Sequence, residues 1–176
     1  DPRREELRHH VAHGWTGRAS IDSVGYRMVR AFRLFLADAV FEPITAPCTR
    51  ADPDFRYLRV RRWEGPLWSL ADERPPHLLD PRYDSWDEQM IAVIDRLLDN
   101  FLEDEEDDLA GRTWGERNTV RIQHPFSRAM PFLSRWLDLP AIPMPGDAHM
   151  PRFQSPSEGA SQRTAISPGR EEEGYF

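Results

Sequence analysis

A run of apolar side chains at helical spacing, from Ile21 to Phe41, constrains the fold more than any other part of the sequence. One face of this run collects the apolar positions: Val24, Met28, Phe32, Phe35 or Leu36, and Ala39. Ser20 is a favourable N-cap residue, and arginines occupy the opposite face. Pro43 and Pro47 are expected to stop the helix, because proline has no N–H for the helical ladder. The run predicts a helix whose apolar face packs against protein.

The stretch from Ser85 to about Asp107 predicts a second long helix, with Ser85 and Glu88 in a capping-box pattern at its start. Its apolar positions also share a face: Trp86, Met90, Val93 or Ile94, Leu97 and Phe101. Six consecutive acidic residues, 103–108, follow; they oppose the helix dipole and repel one another. We interpret this acidic run as a frayed, solvated end rather than a calcium site, which needs oxygens converging from a loop.

Shorter segments complete the helical part of the chain. Residues 3–13 predict a short helix, and residues 63–70 predict another that Gly65-Pro66 interrupts. Residues 55–60 fit either a helical turn or a short strand, and residues 126–139 form a short amphipathic segment.

Side chains alternate in the next part of the sequence, which predicts strands. In residues 114–125, Val120 and Ile122 face inward while arginines stay in water, and Pro125 ends the run. Residues 159–167 and 171–176 predict two more extended segments joined by a turn at Pro168-Gly169. The predicted fold class is α+β, with a helical region over residues 1–110 and a strand and loop region over residues 111–176.

Composition excludes several classes of protein. The net charge of −7 leaves no basic footprint for nucleic acid, and no apolar run reaches the roughly 20 residues that span a bilayer. The only cysteine, Cys48, excludes an internal disulfide and a cysteine-based metal site. The chain opens Asp-Pro-Arg-Arg without an initiator methionine or an apolar signal region, so we expect it to be a piece of a longer protein.

Few side chains suggest a reactive or metal-binding site. Three histidines lie close together on the first helix, His9, His10 and His13, but a zinc site needs further ligands that do not follow, so surface histidines are the preferred interpretation. Asp147 and His149 invite an acid–base interpretation. They lie two residues apart in a loop without an arranged nucleophile, so a structural role is favoured, with Asp147 capping a turn or accepting backbone N–H groups.

Five motifs, taken in order, carry a resemblance to a known family. They are Trp15-Thr16-Gly17-Arg18-Ala19-Ser20-Ile21-Asp22-Ser23, Thr113-Trp114-Gly115-Glu116-Arg117-Asn118-Thr119-Val120 with His124-Pro125, Pro145-Gly146-Asp147, Gly159-Ala160-Ser161-Gln162-Arg163, and Ser167-Pro168-Gly169-Arg170-Glu171-Glu172. None is specific by itself. In this order they resemble the C-terminal part of the β-chain of the penicillin acylase family, the N-terminal-nucleophile amidohydrolases, over nearly the whole chain.

The resemblance implies a fold and an activity for a larger protein. Family members arise from a precursor that cuts itself into α- and β-chains, and the β-chain then begins with a serine. That serine attacks an amide carbonyl while its own α-amine serves as base. Substrates include acylated β-lactam antibiotics and acyl-homoserine lactones. The enclosing fold is a four-layer αββα sandwich, and members are often periplasmic.

This chain departs from the family pattern at its first residues, since neither Asp1 nor Pro2 can be the nucleophile. The oxyanion-hole residues and calcium ligands of the family also lie upstream of the matched part. We therefore assign no catalytic, cofactor-binding or metal-binding residue to this chain, and we interpret Ser161 and Ser167 as strand residues. The alternatives are a non-catalytic helical binding module and a non-catalytic family relative that serves as a scaffold.

The expected partners follow from the same interpretation. They are the rest of the acylase α- and β-chains and, for the parent protein, a small-molecule amide substrate, with no nucleic acid and no membrane. The apolar faces over residues 24–39 and 86–101 should contact other parts of the same molecule, and self-association is expected for the chain alone.

Overall fold

The computed structural model describes residues 1–56, 62–103, 108–160 and 165–175. Its helices are α1 (Pro2–Ala12), α2 (Val24–Ala51), α3 (Glu64–Glu73), α4 (Trp86–Phe101), α5 (Trp114–Arg117), α6 (Pro125–Ala129) and α7 (Ser134–Leu137). The 3-10 turns are Pro76–Leu78 and Pro131–Leu133, and the strands are β1 (Ala165–Ser167) and β2 (Arg170–Tyr175). The described part of the chain is mostly helical with a small sheet near its C-terminus, in agreement with the predicted α+β class.

Two compact units make up the chain. Unit 1 contains residues 1–13 and 28–109, and unit 2 contains residues 14–27 and 110–176. Residues 14–27 therefore belong with the C-terminal part of the chain, although they precede most of unit 1 in sequence. The division into regions 1–110 and 111–176 stays a prediction about domains.

The core of unit 1 forms where the apolar faces of α2, α3 and α4 meet. Its buried members are Leu36, Ala37, Ala39, Val40, Leu67, Trp86 and Val93. The indole N–H of Trp86 also donates to the carbonyl oxygen of Pro75 at 3.2 Å. The guanidinium of Arg4, on α1, donates two hydrogen bonds of 2.6 Å each to the carboxylate of Asp95, on α4. The two predicted apolar faces therefore contact each other within one unit.

The prediction that Pro43 and Pro47 stop the helix that starts near Ile21 is wrong, because α2 continues to Ala51. A proline at position 43 leaves the carbonyl of Ala39 without its usual donor four residues ahead. The side-chain Nε2 of Gln89, on α4, donates to that carbonyl at 2.9 Å. Gln89 is only 1% exposed, so the replacement bond is made inside the core. A tertiary contact thus supplies what the proline removes.

The start of α2 also differs from the prediction. The helix begins at Val24, and the hydroxyl of Ser23 rather than Ser20 accepts the N–H of Tyr26, at 3.1 Å. Within unit 2, the carbonyls of Ile21 and Ser23 accept backbone N–H groups of α5 at 2.7 and 2.9 Å. Residues 20–23 therefore form a turn that is hydrogen-bonded to α5, and the helix begins at Val24 instead of Ile21.

The cap of α4 matches its sequence pattern more closely. At α4, the Ser85 hydroxyl accepts the N–H of Glu88, whose carboxylate accepts the N–H of Asp84 at 2.7 Å. The helix ends at Phe101, short of the predicted Asp107, and residues 104–107 of the acidic run lie outside the described residues.

Gly65-Pro66 does not interrupt α3, because this pair falls in its first turn, where a missing N–H costs nothing. The segment 57–61 also lies outside the described residues.

The predicted strand over residues 114–125 is wrong as a continuous element. Its start is the helical turn α5, and His124 caps α6. The extended middle does run beside residues 139–144, with a single bridge between Thr119 and Pro143. The prolines of that neighbouring segment cannot donate, so no continuous ladder forms. The predicted sidedness holds nevertheless, because Val120 is buried and Arg117 and Arg121 are exposed.

The predicted C-terminal hairpin is confirmed within the described residues. β1 and β2 pair antiparallel, with Ser167 opposite Arg170 and Ala165 opposite Tyr175. Gly169 turns the chain at φ +80°, a left-handed conformation that glycine adopts without strain. Among the helices in the described ranges, none combines the length and apolarity that crossing a bilayer requires.

Candidate functional site

Three of the five motifs that carried the resemblance meet in unit 2 around the backbone of Gly146. The indole N–H of Trp114 donates to the Gly146 carbonyl at 2.7 Å, and Asn118 Nδ2 donates to the same oxygen at 3.1 Å. Asn118 Nδ2 also donates to the carbonyl of Met144 at 2.9 Å. The N–H of Gly146 donates to the carbonyl of Ala19 at 2.9 Å. Three segments far apart in sequence are thus tied together at one residue.

A buried carboxylate lies next to this junction. Asp147 is 1% exposed, and its Oδ2 accepts the hydroxyl of Tyr26 at 3.0 Å. Its Oδ1 accepts the backbone N–H of His149 at 3.0 Å. Its own N–H donates to the carbonyl of Arg152 at 3.1 Å. Asp147 accepts one backbone N–H, as predicted, and its purely structural role stays a prediction.

Three aromatic rings pack in a row beside the junction, and the middle ring, Tyr26, contacts the carboxylate. The ring of Tyr26 stacks on Trp15, with centroids 5.8 Å apart and planes 10° apart. It meets the ring of Trp114 edge to face, at 4.9 Å and 79°. Ala19 and Met150 complete this small core. We call Tyr26, Trp114, Asn118, Gly146 and Asp147 together the junction cluster.

Two glycines permit the close packing of the junction. Gly146 has φ +104°, and a Cβ there would lie 2.5 Å from the carbonyl oxygen of Arg152. A Cβ on Gly115 would lie 2.4 Å from a side-chain carbon of Ile21 and 2.7 Å from its carbonyl oxygen. Both contacts involve backbone, which cannot move aside cheaply. Glycine is therefore required at both positions.

A half-buried arginine joins the start of α2 to α5 inside unit 2. Arg27 donates to the carbonyl of Thr113 at 3.1 Å and forms an ion pair with Glu116. Burial lowers the pKa of Arg27 to about 10, with repulsion from Arg112 and Arg117 adding to the effect. The group stays positively charged at neutral pH, so it acts as a fixed cation and not as a proton donor.

A groove of about 260 Å³ opens beside the junction cluster. Its walls come from residues 18–20, Pro145, Gly146 and residues 150–152. Arg18 and Arg152 lie along it, and both are exposed. The groove presents two cations and backbone, and its lining contains no serine–histidine or cysteine–histidine pair for nucleophilic chemistry.

The remaining candidate side chains are placed as follows. The rings of His9 and His13 lie 5.3 Å apart on α1, and the described residues contain no group of three or more side chains suited to holding a metal ion. Ser167 lies in β1, and Ser161 lies outside the described residues. The absence of a catalytic residue from this chain stays a prediction.

Sequence reasoning missed the most connected members of the junction cluster. Tyr26 looked like one more residue of a long helix, because nothing local shows that its hydroxyl reaches a carboxylate 121 residues away. The burial of Asn118 could have been predicted, because its side chain shares a face of the segment with Val120, and both are buried.

Comparison with known proteins matches the chain to one family. The family model described as penicillin amidase matches residues 3–176, which is nearly the whole chain. No curated protein and no solved structure matches the chain. The matched range contains both compact units and every member of the junction cluster. The chain therefore belongs to the penicillin amidase family.

Proposed function

We propose that this chain is the C-terminal structural portion of a penicillin acylase-like amidohydrolase, here called the parent, whose nucleophile is an N-terminal serine outside these residues. The family match over residues 3–176 carries the proposal. The hydrogen bonds of Asp147 support it, because the carboxylate that invited an acid–base interpretation is occupied by the hydroxyl of Tyr26 and by the backbone N–H of His149. The parent hydrolyses an acyl amide of the β-lactam or acyl-homoserine lactone type.

In the proposed mechanism, the N-terminal serine provides both the nucleophile and the general base. The serine hydroxyl attacks the amide carbonyl while the α-amine takes its proton, which suits a group with an ordinary pKa of about 8. The amine product leaves with that proton, and water then hydrolyses the ester to release the acid. An oxyanion hole elsewhere in the parent stabilises both tetrahedral intermediates.

In this proposal, the present chain supplies architecture. The junction cluster fixes residues 14–27, 113–120 and 143–152 against one another, and β1 and β2 belong to one sheet of a four-layer αββα fold. No cofactor or metal is assigned here; any calcium would be bound elsewhere in the parent. The parent is placed in the periplasm or outside the cell, and its partners are its own α- and β-chains.

A kinetic comparison of parent variants tests the proposal. Replacing the first serine of the β-chain with alanine should abolish acyl release from amide substrates. His149→Gln should leave kcat within about threefold, because a group with no catalytic task contributes none of the usual 100-fold or greater effect of a general base. A loss of 100-fold or more in kcat for folded His149→Gln would place chemistry in this chain. A folded parent that releases no acyl group from any amide would favour the scaffold alternative.

A further inference from the structure

The segment from Phe126 to Ile142 exposes an unusual number of large apolar side chains. Six of them are between 41% and 68% exposed: Phe126, Met130, Phe132, Trp136, Leu139 and Ile142. The sequence predicted only a short amphipathic segment over residues 126–139, and the structure shows that these side chains face solvent. Exposed apolar clusters of this kind mark binding surfaces. We call these six residues the apolar patch.

The patch is held in a defined shape before any partner binds. Asp138 accepts the N–H of His124 at 2.8 Å and also hydrogen-bonds the hydroxyl of Ser127. The N–H of Leu139 donates to the carbonyl of Ile122 at 3.2 Å. α6, the 3-10 turn Pro131–Leu133 and α7 also pack on one another. A surface that is already ordered loses less entropy when it binds.

The segment that carries the patch has two arginines and one carboxylate, so its net charge is positive although the whole chain is acidic. Arg128 and Arg135 lie within the segment, and the guanidinium of Arg135 lies 3.6 Å from the ring centre of Trp136. The carboxylate of Asp138 is already engaged by the segment itself. A complementary partner therefore offers an apolar centre with carboxylates around it.

The charges and the prolines of the segment also argue against three other binding partners of the patch. A two-fold contact between two copies would set the patch against itself and bring like-charged arginines together. Stable attachment to anionic lipid takes clusters of about four to eight basic residues, whereas this segment has two and belongs to a chain of net charge −7. A partner strand is disfavoured because Pro125, Pro131 and Pro140 cannot donate backbone bonds.

We infer that the apolar patch is the surface on which this chain docks onto the preceding part of the same amidohydrolase, through an apolar face rimmed by carboxylates. This inference rests on the proposed function, because it takes the parent as the source of that face. It adds which residues make the contact and what charge the opposing surface carries.

Hydroxyl-radical footprinting of the intact parent tests the docking surface. Reactivity at Phe132 and Trp136 is measured by peptide mass spectrometry in the native parent and in urea. We expect both to react at least tenfold more slowly in the native state. Native reactivity within twofold of that in urea would overturn the inference.

Charge reversal provides a second test that does not disturb the core. Arg128→Glu should raise native reactivity at Phe132 at least threefold, whereas Arg62→Glu, an equal change in charge at an exposed position outside the patch, should not. Equal effects of the two changes would contradict the carboxylate rim.

Parallel measurements identify other occupants and separate this inference from the proposed function. Protection that appears only with phosphatidylserine vesicles, or only at concentrations where sedimentation shows a dimer, would overturn it in favour of lipid or a second copy. Protection without amide hydrolysis would support the docking surface and refute the activity. Hydrolysis without protection would refute the surface alone.

Discussion

At the scale of single residues, the hydroxyl of Tyr26 and the carboxylate of Asp147 define how unit 2 is held together. The two residues are 121 positions apart, and each is at least 95% buried. Hydrogen bonds to a charged acceptor are stronger than neutral ones, and burial keeps water from competing. Their contact therefore stabilises the unit more than a typical surface bond.

Tyr26→Phe removes this bond and should lower the free energy of unfolding by about 1.5–3 kcal/mol. A double-mutant cycle with Asp147→Asn, followed by urea unfolding, should give a coupling energy of at least about 0.5 kcal/mol. The matched control is Tyr83→Phe, whose hydroxyl makes no hydrogen bond within the described residues. Strictly additive losses for Tyr26 and Asp147 would contradict the contact.

A second carboxylate gives the chain a dependence on pH. The side chain of Asp80 is 3% exposed, and the guanidinium of Arg82 donates to both its oxygens. The hydrogen bonds from Arg82 lower the pKa of Asp80 below its ordinary value. Its stabilising effect is therefore complete above the unfolded pKa of about 4 and is lost as pH falls through the lower, folded pKa.

Arg82→Met should therefore be less stable than wild type at pH 6–7, and the gap should shrink below pH 4. Urea unfolding at pH 7, 5 and 3 measures this gap, with Arg62→Met as the control for loss of an exposed arginine. A gap that stays the same at all three values would refute the assignment.

At the scale of elements, α2 shows how one helix can continue past a residue that usually ends it. Pro43 removes the donor for the Ala39 carbonyl, and Gln89 replaces it from α4. The length of α2 therefore depends on α4 being in place. Helix propensity and tertiary packing act in opposite directions here, and packing decides.

Gln89→Met should lower the free energy of unfolding by about 1–3 kcal/mol, because a buried carbonyl loses its partner. Pro43→Ala restores a backbone N–H four residues beyond Ala39, so the loss should be smaller in that background by at least about 0.5 kcal/mol. Pro47→Ala is the matched control, since its restored N–H would face the carbonyl of Pro43 instead. Equal losses in all three backgrounds, measured by urea unfolding, would disprove the replacement bond.

At the scale of the whole molecule, the chain consists of two units, each with its own core. Leu98 is fully buried in unit 1, whereas Trp114 is buried in unit 2. Cooperative units of a protein can open separately, each with its own free energy. A core change in one unit should therefore act first on that unit.

Leu98→Ala leaves a cavity and should destabilise unit 1 by about 2–5 kcal/mol. Amide hydrogen exchange should speed up over residues 28–51 and 86–101, while residues 114–120 keep their protection. Ile166→Ala, at an exposed position of β1, should change stability by less than about 0.5 kcal/mol. Equal loss of protection in both units would show that they open together.

The sequence was most informative where local chemistry determines the structure. Ser85 and Glu88 cap α4 as their pattern predicts, and Pro168-Gly169 turns the hairpin. It was least informative where a distant residue intervenes. The strand predicted at 114–125 failed because its neighbour carries prolines, and α2 passed Pro43 because of Gln89.

By itself, the sequence determined the α+β class, the cap of α4 and the family resemblance, because these depend on neighbours a few positions apart and on motif order. Only the tertiary structure decided that Tyr26 meets Asp147, that Gly146 gathers three segments, and that the apolar side chains of residues 126–142 face solvent. The physical reason is that a hydrogen bond or a buried face needs a partner in space. Periodicity shows which face a residue occupies, but it does not show which distant group will meet it.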